Sequence, residues 1–341
     1  MIRTFRDYMD AALYGQSGYY SSGKVEFGAR GDFYTTSQVH ELFAQLLAEE
    51  FTRLWIEDGS PSEYTIVELG PGDGTFAETV LTYLRTNLSN AFNSINYVCF
   101  EISAPLRTRQ RERLHEFKVE WVDQLPVKDC GIIFSNEFFD SLPVHLVQQI
   151  SGRLCERYVE DYGRSLQWVA GDLSTPEISS AWRRAGTVLK EEQRAEICLD
   201  AIRVLNEIST KFKRAHMITI DYGDLAERLY SEDRFDGTLR CFKSHKMTSD
   251  PFLWRDCDIT ASVNFTLLSA FGKDVGFEVL RFIDLPEYLM SLGLLERVSE
   301  LSSDIETENP REIQKRLALK QLFLPQGIAG SFKVLETYKS S

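Results

Sequence analysis

TIVELGPGDGTF, residues Thr65–Phe76, is the stretch whose reading decides the fold. Its apolar start, TIVEL, reads as the end of a buried strand, and TFAETVLTYL from Thr75 onward as the start of an amphipathic helix. Between them Gly70, Gly72 and Gly74, with Pro71, form a strand–turn–helix junction that carries no bulky side chain to block a ligand. The spacing is G-x-G-x-G. Thr75 stands where the dinucleotide fingerprint G-x-G-x-x-G has its third glycine, and no G-K-[ST] follows, so a P-loop is excluded.

An acidic residue ahead of that spacing, here Glu68, is the pattern of S-adenosylmethionine (SAM) binding. Backbone N–H groups and a helix N-terminus approach the methionine portion of the cofactor, with no phosphate to cradle. Outward from the loop, short Val- and Ile-rich runs read as buried parallel strands at Ile66–Leu69, Tyr97–Glu101, Gly131–Ser135 and Met217–Asp221. Helical patterns at Phe76–Leu88 and Ala104–Phe117 separate the early ones, and KVEW (118–121) fills the place of a further strand. This rhythm predicts an α/β, Rossmann-like, doubly wound sheet with ligands at the carboxyl ends of its strands.

Two regions break the rhythm. Residues 144–170 alternate like antiparallel strands joined by turns at Ser151–Gly152 and Tyr162–Gly163, and a helical stretch follows over roughly 190–213. The expected organisation is an N-terminal helical and loop extension (1–60), a SAM-binding core (61–143 and 214–341), and an inserted subdomain (144–213) for substrate binding or dimerisation. The first 15 residues read as an amphipathic helix, HELFAQLLAEEFTRLW (40–55) as a second helix, and GFEVLRFIDL with SFKVLETY as a closing pair of strands.

Candidate ligand residues follow from this frame. Glu101 ends the second strand where a carboxylate accepts both ribose hydroxyls, with Ile102 beside it; a diol in NAD would be served equally. Asp123 and Gln124, after the KVEW strand, stand where an adenine amino group is addressed. NEFFD (136–140) follows a strand and sets Asn136, Glu137 and Asp140 among Phe138 and Phe139; the same pattern also suits a helix start with acids in its first turn. Asp32, Thr35 and Ser37 belong either to a lid over the cofactor or to a surface loop capping the helix after it. His145 is expected to be structural and Tyr222–Gly223 to shape a turn.

Composition narrows the function classes. The 341 residues carry a net charge of −13, which disfavours nucleic acid as a partner. No apolar run approaches the roughly 18 residues of a membrane span, and the amino terminus lacks a signal-peptide core. Six cysteines, at 99, 130, 155, 198, 241 and 257, form no C-x-x-C pair. That argues against both a zinc site and a secreted disulfide framework and fits a reducing cytoplasm, and no metal ligand is expected.

Several longer stretches bear a resemblance: ALYGQSGYY, GDFYTTSQVHELFAQLLAEE, VELGPGDGTF, NEFFDSLPVH, IDYG, GTLRCFKSH and DITASVNF. The chain resembles the MidA family of SAM-dependent methyltransferases, whose mitochondrial members are assembly factors for respiratory complex I. The resemblance implies a class I methyltransferase fold, SAM as the cofactor and a protein acceptor, an arginine side chain. Glu68, Gly70, Gly72, Gly74 and Glu101 match the family's cofactor motifs, and Asn136, Glu137 and Asp140 its motif after the fourth strand. A guanidinium is protonated and a poor nucleophile. Carboxylates that hold it and accept its proton are therefore needed, which makes Glu137, Asp140 and Asp221 the catalytic candidates. Ser37 and Gln38 stand where the family has Pro-Glu, and Ser262 and Asn264 where it has His and Asp. These departures bear on the acceptor and leave open a SAM-binding assembly factor with little catalysis. An NAD-dependent oxidoreductase is disfavoured by Thr75.

Overall fold

The computed structural model describes residues 1–23, 25, 41–163, 165–232, 234–243, 246–254, 256–303 and 328–340. In chain order their strands are β1 (Ile2–Thr4), β2 (Tyr64–Leu69), β3 (Ile95–Phe100), β4 (Val119–Val122), β5 (Lys128–Asn136) and β6 (His145–Ile150). There follow β7 (Arg153–Asp161), β8 (Leu166–Gly171), β9 (Arg194–Ile197), β10 (Phe212–Asp224) and β11 (Arg240–Lys243). The last are β12 (Lys246–Thr248), β13 (Asp258–Thr260), β14 (Val263–Asn264), β15 (Phe277–Asp284) and β16 (Phe332–Lys339). The chain folds into two compact units: Met1–Phe33, Glu137–Thr210 and Asp221–Phe277 form one, and Tyr34–Asn136, Lys211–Ile220 and Glu278–Ser341 the other.

The second of these holds the doubly wound sheet, in the order β15-β16-β10-β5-β2-β3-β4. β2 pairs in parallel with β3 and β5, and β5 with β10, so β2 is central and all six of its residues are buried. A strand covered on both faces gains most from an unbroken apolar run, which is why TIVEL does not alternate. The helices Glu41–Glu57 and Thr75–Asn87 bring Phe51 and Phe76 onto Phe134 of β5, at ring separations of 5.5 and 4.5 Å. Within β5, Gly131 lies so close to β2 that an added Cβ would stand 2.3 Å from the Thr65 carbonyl oxygen. Gly131→Ala is expected to destabilise the protein by about 1–3 kcal/mol, because a backbone atom must move. An unchanged denaturant midpoint would contradict this.

The other unit is built on an antiparallel sheet, β1-β7-β6-β9 with β8 on β7. The β6–β7 hairpin turns at Ser151–Gly152, both with positive φ (50° and 73°), the signature of a tight primed turn. The helix Phe5–Tyr14 is capped by Thr4, whose hydroxyl accepts from the Asp7 N–H. It buries Phe5, Tyr8, Met9 and Leu13 against Val144, Leu146, Val159, Cys241 and Ile259. A small sheet, β12-β11-β13, completes the unit. Among the described residues no helix is long and apolar enough to cross a membrane.

Some boundaries differ from the sequence reading. The helix expected over 190–213 is only Asp200–Lys211, and Arg194–Ile197 is instead β9 on β6. Edge pairing overrides helix propensity in so short a segment. Residues 2–4 likewise pair with β7 before the first helix begins. Helix Ala104–Arg113 stops before Phe117, and β10 extends past Asp221 to Asp224. Tyr222 and Gly223 are therefore in a strand and not a turn. Gly223 pairs with Val263 of β14, and a Cβ there would meet the Val263 carbonyl oxygen at 2.2 Å.

Candidate active site

In the sheet unit, the loop after β2 turns through Gly70, Gly72 and Gly74 at φ of 64°, 56° and 82°, conformations that disfavour any side chain. The Gly70 N–H donates to the Phe100 carbonyl, and the Gly74 N–H to that of Pro71. Asp73 turns its carboxylate onto the Thr75 N–H, opening helix Thr75–Asn87. Glu68 is buried, accepts the Tyr97 hydroxyl at 2.8 Å, and is pushed up to about 8 by burial. Burial thus favours its neutral form, and its hydrogen bond braces β2 against β3.

Glu101 follows β3 and is 7% exposed. One oxygen accepts the Ser103 N–H at 2.8 Å and the other the Gln110 side-chain amide at 3.1 Å. Burial raises its pKa, while these donors oppose the shift. The same Gln110 nitrogen donates to the Gly72 carbonyl at 2.8 Å, and the Trp121 indole N–H donates to the Gln110 side-chain oxygen at 3.1 Å. Gln110 therefore ties the glycine loop, the acid and β4 together, a role that its place inside a polar helix does not advertise. Ile102 is exposed beside Glu101, and Asp123 and Gln124 are exposed after β4. A side-chain-free loop beside a fixed, buried carboxylate suits a cofactor with an amino-acid end and a ribose diol. The residues present thus fit S-adenosylmethionine: Gly70, Gly72 and Gly74 would take the methionine part, and Glu101 the ribose. Gln110→Ala is expected to weaken SAM binding roughly tenfold, the value of a hydrogen bond to a charged group. Isothermal titration showing wild-type affinity would remove Gln110 from the site.

Asn136 ends β5, opposite Ile220 of β10, in the same unit. Glu137, which follows β5, and Asp221, within β10, each begin a segment of the other unit. There Asp221 is fully buried. One of its oxygens accepts the N–H groups of Phe139 and Asp140 at 2.9 and 3.3 Å, and the other accepts the Tyr222 N–H at 2.8 Å. Burial pushes Asp221 up to about 7 against the pull of these donors. Asp140, 5% exposed, is also raised well above the carboxylate range by burial and then by Asp221, Glu137 and Asp258, with Arg240 opposing. Glu137 holds φ = 54°, an uncommon conformation for a residue with a side chain and the kind of local strain found at working sites.

Two aromatic residues join this cluster. The Tyr20 hydroxyl donates to Asp258 at 2.8 Å, and Tyr14 stacks on Tyr20 and donates to the Ser141 carbonyl. Asp258, Tyr14 and Tyr20 were not singled out from sequence, although all three lie in stretches that carry the resemblance. His145 is engaged with Glu156 at 2.8 Å, within the sheet. Asn264 caps helix Phe265–Asp274 by accepting the Leu267 N–H, a task an aspartate performs equally. Ser262 is buried, and its N–H donates to the Thr238 hydroxyl. Asp32, Thr35 and Ser37 lie outside the described residues, as does Gln38.

Comparison with known proteins gives this geometry its context. A family profile described as "Putative S-adenosyl-L-methionine-dependent methyltransferase" matches residues 46–283. The Drosophila melanogaster protein named protein arginine methyltransferase NDUFAF7 homolog, mitochondrial, is 30% identical over 296 residues, 76% of this chain and 64% of its own length. The chain thus spans less than two thirds of that relative. The Xenopus tropicalis protein arginine methyltransferase NDUFAF7 is 26% identical, covering 89% of this chain and 76% of its own. A crystal structure of a methyl transferase candidate from Burkholderia thailandensis, bound to S-adenosyl-homocysteine, superposes with a TM-score of 0.86. It is 28% identical and covers 99% of this chain and 88% of its own. With the class I fold, the glycine loop and these likenesses together, the chain belongs to the family of S-adenosyl-L-methionine-dependent methyltransferases.

Proposed function

We propose that this protein transfers a methyl group from S-adenosylmethionine to an arginine side chain of a protein acceptor. The observation that carries the reading is the set of buried carboxyl groups at Asp140, Asp221 and Asp258 with Glu137, one of whose members is held near pH 7. Such a set has little charge of its own to offer water but gains much from a cation. A planar guanidinium donates to two carboxylates at once and stays charged at any working pH. The names of the mitochondrial arginine methyltransferase relatives support the same acceptor.

When bound, S-adenosylmethionine supplies an electrophilic methyl on a sulfonium sulfur. The residues of this chain must align and neutralise. Glu137 and Asp140 hold the guanidinium and localise its charge away from the attacking nitrogen. As the N–C bond forms and the S–C bond breaks, that nitrogen releases a proton, and Asp140 accepts it. Asp221 fixes the Phe139–Asp140 backbone through its two hydrogen bonds, so it positions Asp140. All six cysteines are free, which supports placing the enzyme in a reducing compartment such as the cytoplasm.

The test is incubation with methyl-labelled SAM and arginine-containing peptides, followed by hydrolysis and separation of the methylated amino acids. Methylarginine is the expected product. Label on a different residue would overturn the acceptor assignment, and SAM binding without any transfer would favour an assembly factor.

A further inference from the structure

Residues 237–240 are not used by the reaction above, yet with their neighbours they build a second feature. A cavity of about 240 Å³ is lined by Arg234, Gly237, Thr238, Leu239, Arg240, Met247, Thr248 and Ser249, all in the unit that holds the carboxyl cluster. At about 30 Å³ per water molecule, this is space for roughly eight waters, enough for an amino-acid side chain. Arg234 and Met247 are exposed, so the cavity is accessible.

Its back wall is rigid. Thr238 is buried, and its N–H and hydroxyl donate to the two oxygens of Glu196 at 2.7 and 2.9 Å, which ties down that carboxylate. Arg240 lies in β11, fixed by pairing with Thr260 of β13. Its guanidinium stands over the Tyr222 ring at 5.7 Å and within the field of Asp140. Among the described residues neither Arg234 nor Arg240 has an ion pair or a side-chain hydrogen bond. Thr248 accepts the Asp250 N–H at 3.1 Å, which leaves its own hydroxyl proton to donate, and Asp250 is turned to the Phe252 N–H. Lys243 and Lys246 face each other at the hairpin end of β11 and β12. In a chain of net charge −13, two arginines lining one hydroxyl-bearing cavity, with two lysines further along the same hairpin, are a local exception.

We propose that this cavity is an anion subsite that takes an acidic group of the acceptor, a carboxylate or a phosphate close in sequence to the methylated residue. The inference rests on the methyltransferase reading and deepens it. Arg240 lines the cavity and its charge is felt at Asp140, so the acceptor is read as a dipole, its cation among the carboxyl groups and its anion on Arg234 and Arg240. Guanidinium forks with an adjacent hydroxyl suit a two-oxygen anion.

The experiment has two arms. In the first, saturation-transfer NMR is recorded on the full chain with N-acetyl-glutamate N-methylamide, its glutamine counterpart and its phosphoserine counterpart. The glutamate probe is expected to bind roughly tenfold better than the glutamine probe, the value of one charged hydrogen bond. That advantage should be lost in both Arg234→Ala and Arg240→Gln proteins of unchanged melting temperature. A stronger phosphoserine signal identifies the anion as a phosphoryl group. Equal signals for glutamate and glutamine, or an advantage that survives both variants, overturn the subsite. In the second arm, labelled SAM is offered with arginine peptides carrying glutamate or glutamine beside the arginine, and the glutamate peptides should be methylated faster. Absence of label in every peptide counts against the proposed reaction alone, since the NMR arm decides the subsite without any methyl transfer.

Discussion

Replacing Asp140 with asparagine is expected to lower the rate of methyl transfer roughly 100- to 10,000-fold, the range for a lost general base, while SAM affinity is unchanged. Asn keeps the shape of Asp and the backbone hydrogen bond by which the Asp140 carbonyl receives the Ala261 N–H. What disappears is the ability to carry a charge and accept a proton. Asp140 is nearly inaccessible and faces Asp221, Glu137 and Asp258. These groups cannot all ionise in one dry place, so the empty cluster keeps protons until a cation arrives. A variant with near wild-type turnover would sink the role assigned to Asp140.

The same cluster sets a pH dependence. Asp221 is raised by burial from 3.8 to about 7, and once it loses its proton its charge, set against the Phe139–Asp140 backbone, adds to the field that favours a cation beside Asp140. The rate at low acceptor concentration is therefore expected to rise with pH through about 7, and Asp221→Asn should remove that limb. Folding responds in the opposite sense. Below pH 3.8 both states hold the proton and the group's contribution to stability is fully present; it is lost as pH rises through about 7, where only the folded state still binds the proton. An activity profile flat between pH 6 and 8 would contradict the assignment.

How much of this could be read from the chain depends on how local the signal is. The glycine loop was legible because positive φ at Gly70, Gly72 and Gly74 leaves a mark in the residue type itself. β2 was legible because full burial demands an apolar run. β9 was not, since its four residues, RAEI, become a strand only through the β6 edge they meet. Gln110 looks like any polar residue on a charged helix, and only the fold brings it to Gly72, Glu101 and Trp121. Asp258 and Tyr20 are 238 positions apart, and no spacing rule links them. The cavity at Arg234 and Arg240 is tertiary in the same way. Asn264 shows the reverse case: a departure from the family pattern that leaves the local helix cap intact.

Gly72→Val is expected to reduce SAM affinity at least roughly 100-fold, because a β-branched residue is strained at positive φ and the loop must distort to accept it. Gly72 holds φ = 56°, and its carbonyl is the one that Gln110 grips, so distortion there reaches Glu101 through a single side chain. The strain alone would also lower stability, which would confuse a simple loss of binding. Gly152→Val separates the two effects. Gly152 has φ = 73° with nothing within 4 Å of an added Cβ, in the exposed β6–β7 turn. It bears a comparable backbone penalty of about 1–3 kcal/mol without touching the loop. Calorimetry should find both variants less stable but only Gly72→Val deficient in SAM binding. If both bind SAM like the wild type, the cofactor does not lie on the 70–74 loop. If both lose it, the loss follows from global destabilisation, and the loop has no special part in it.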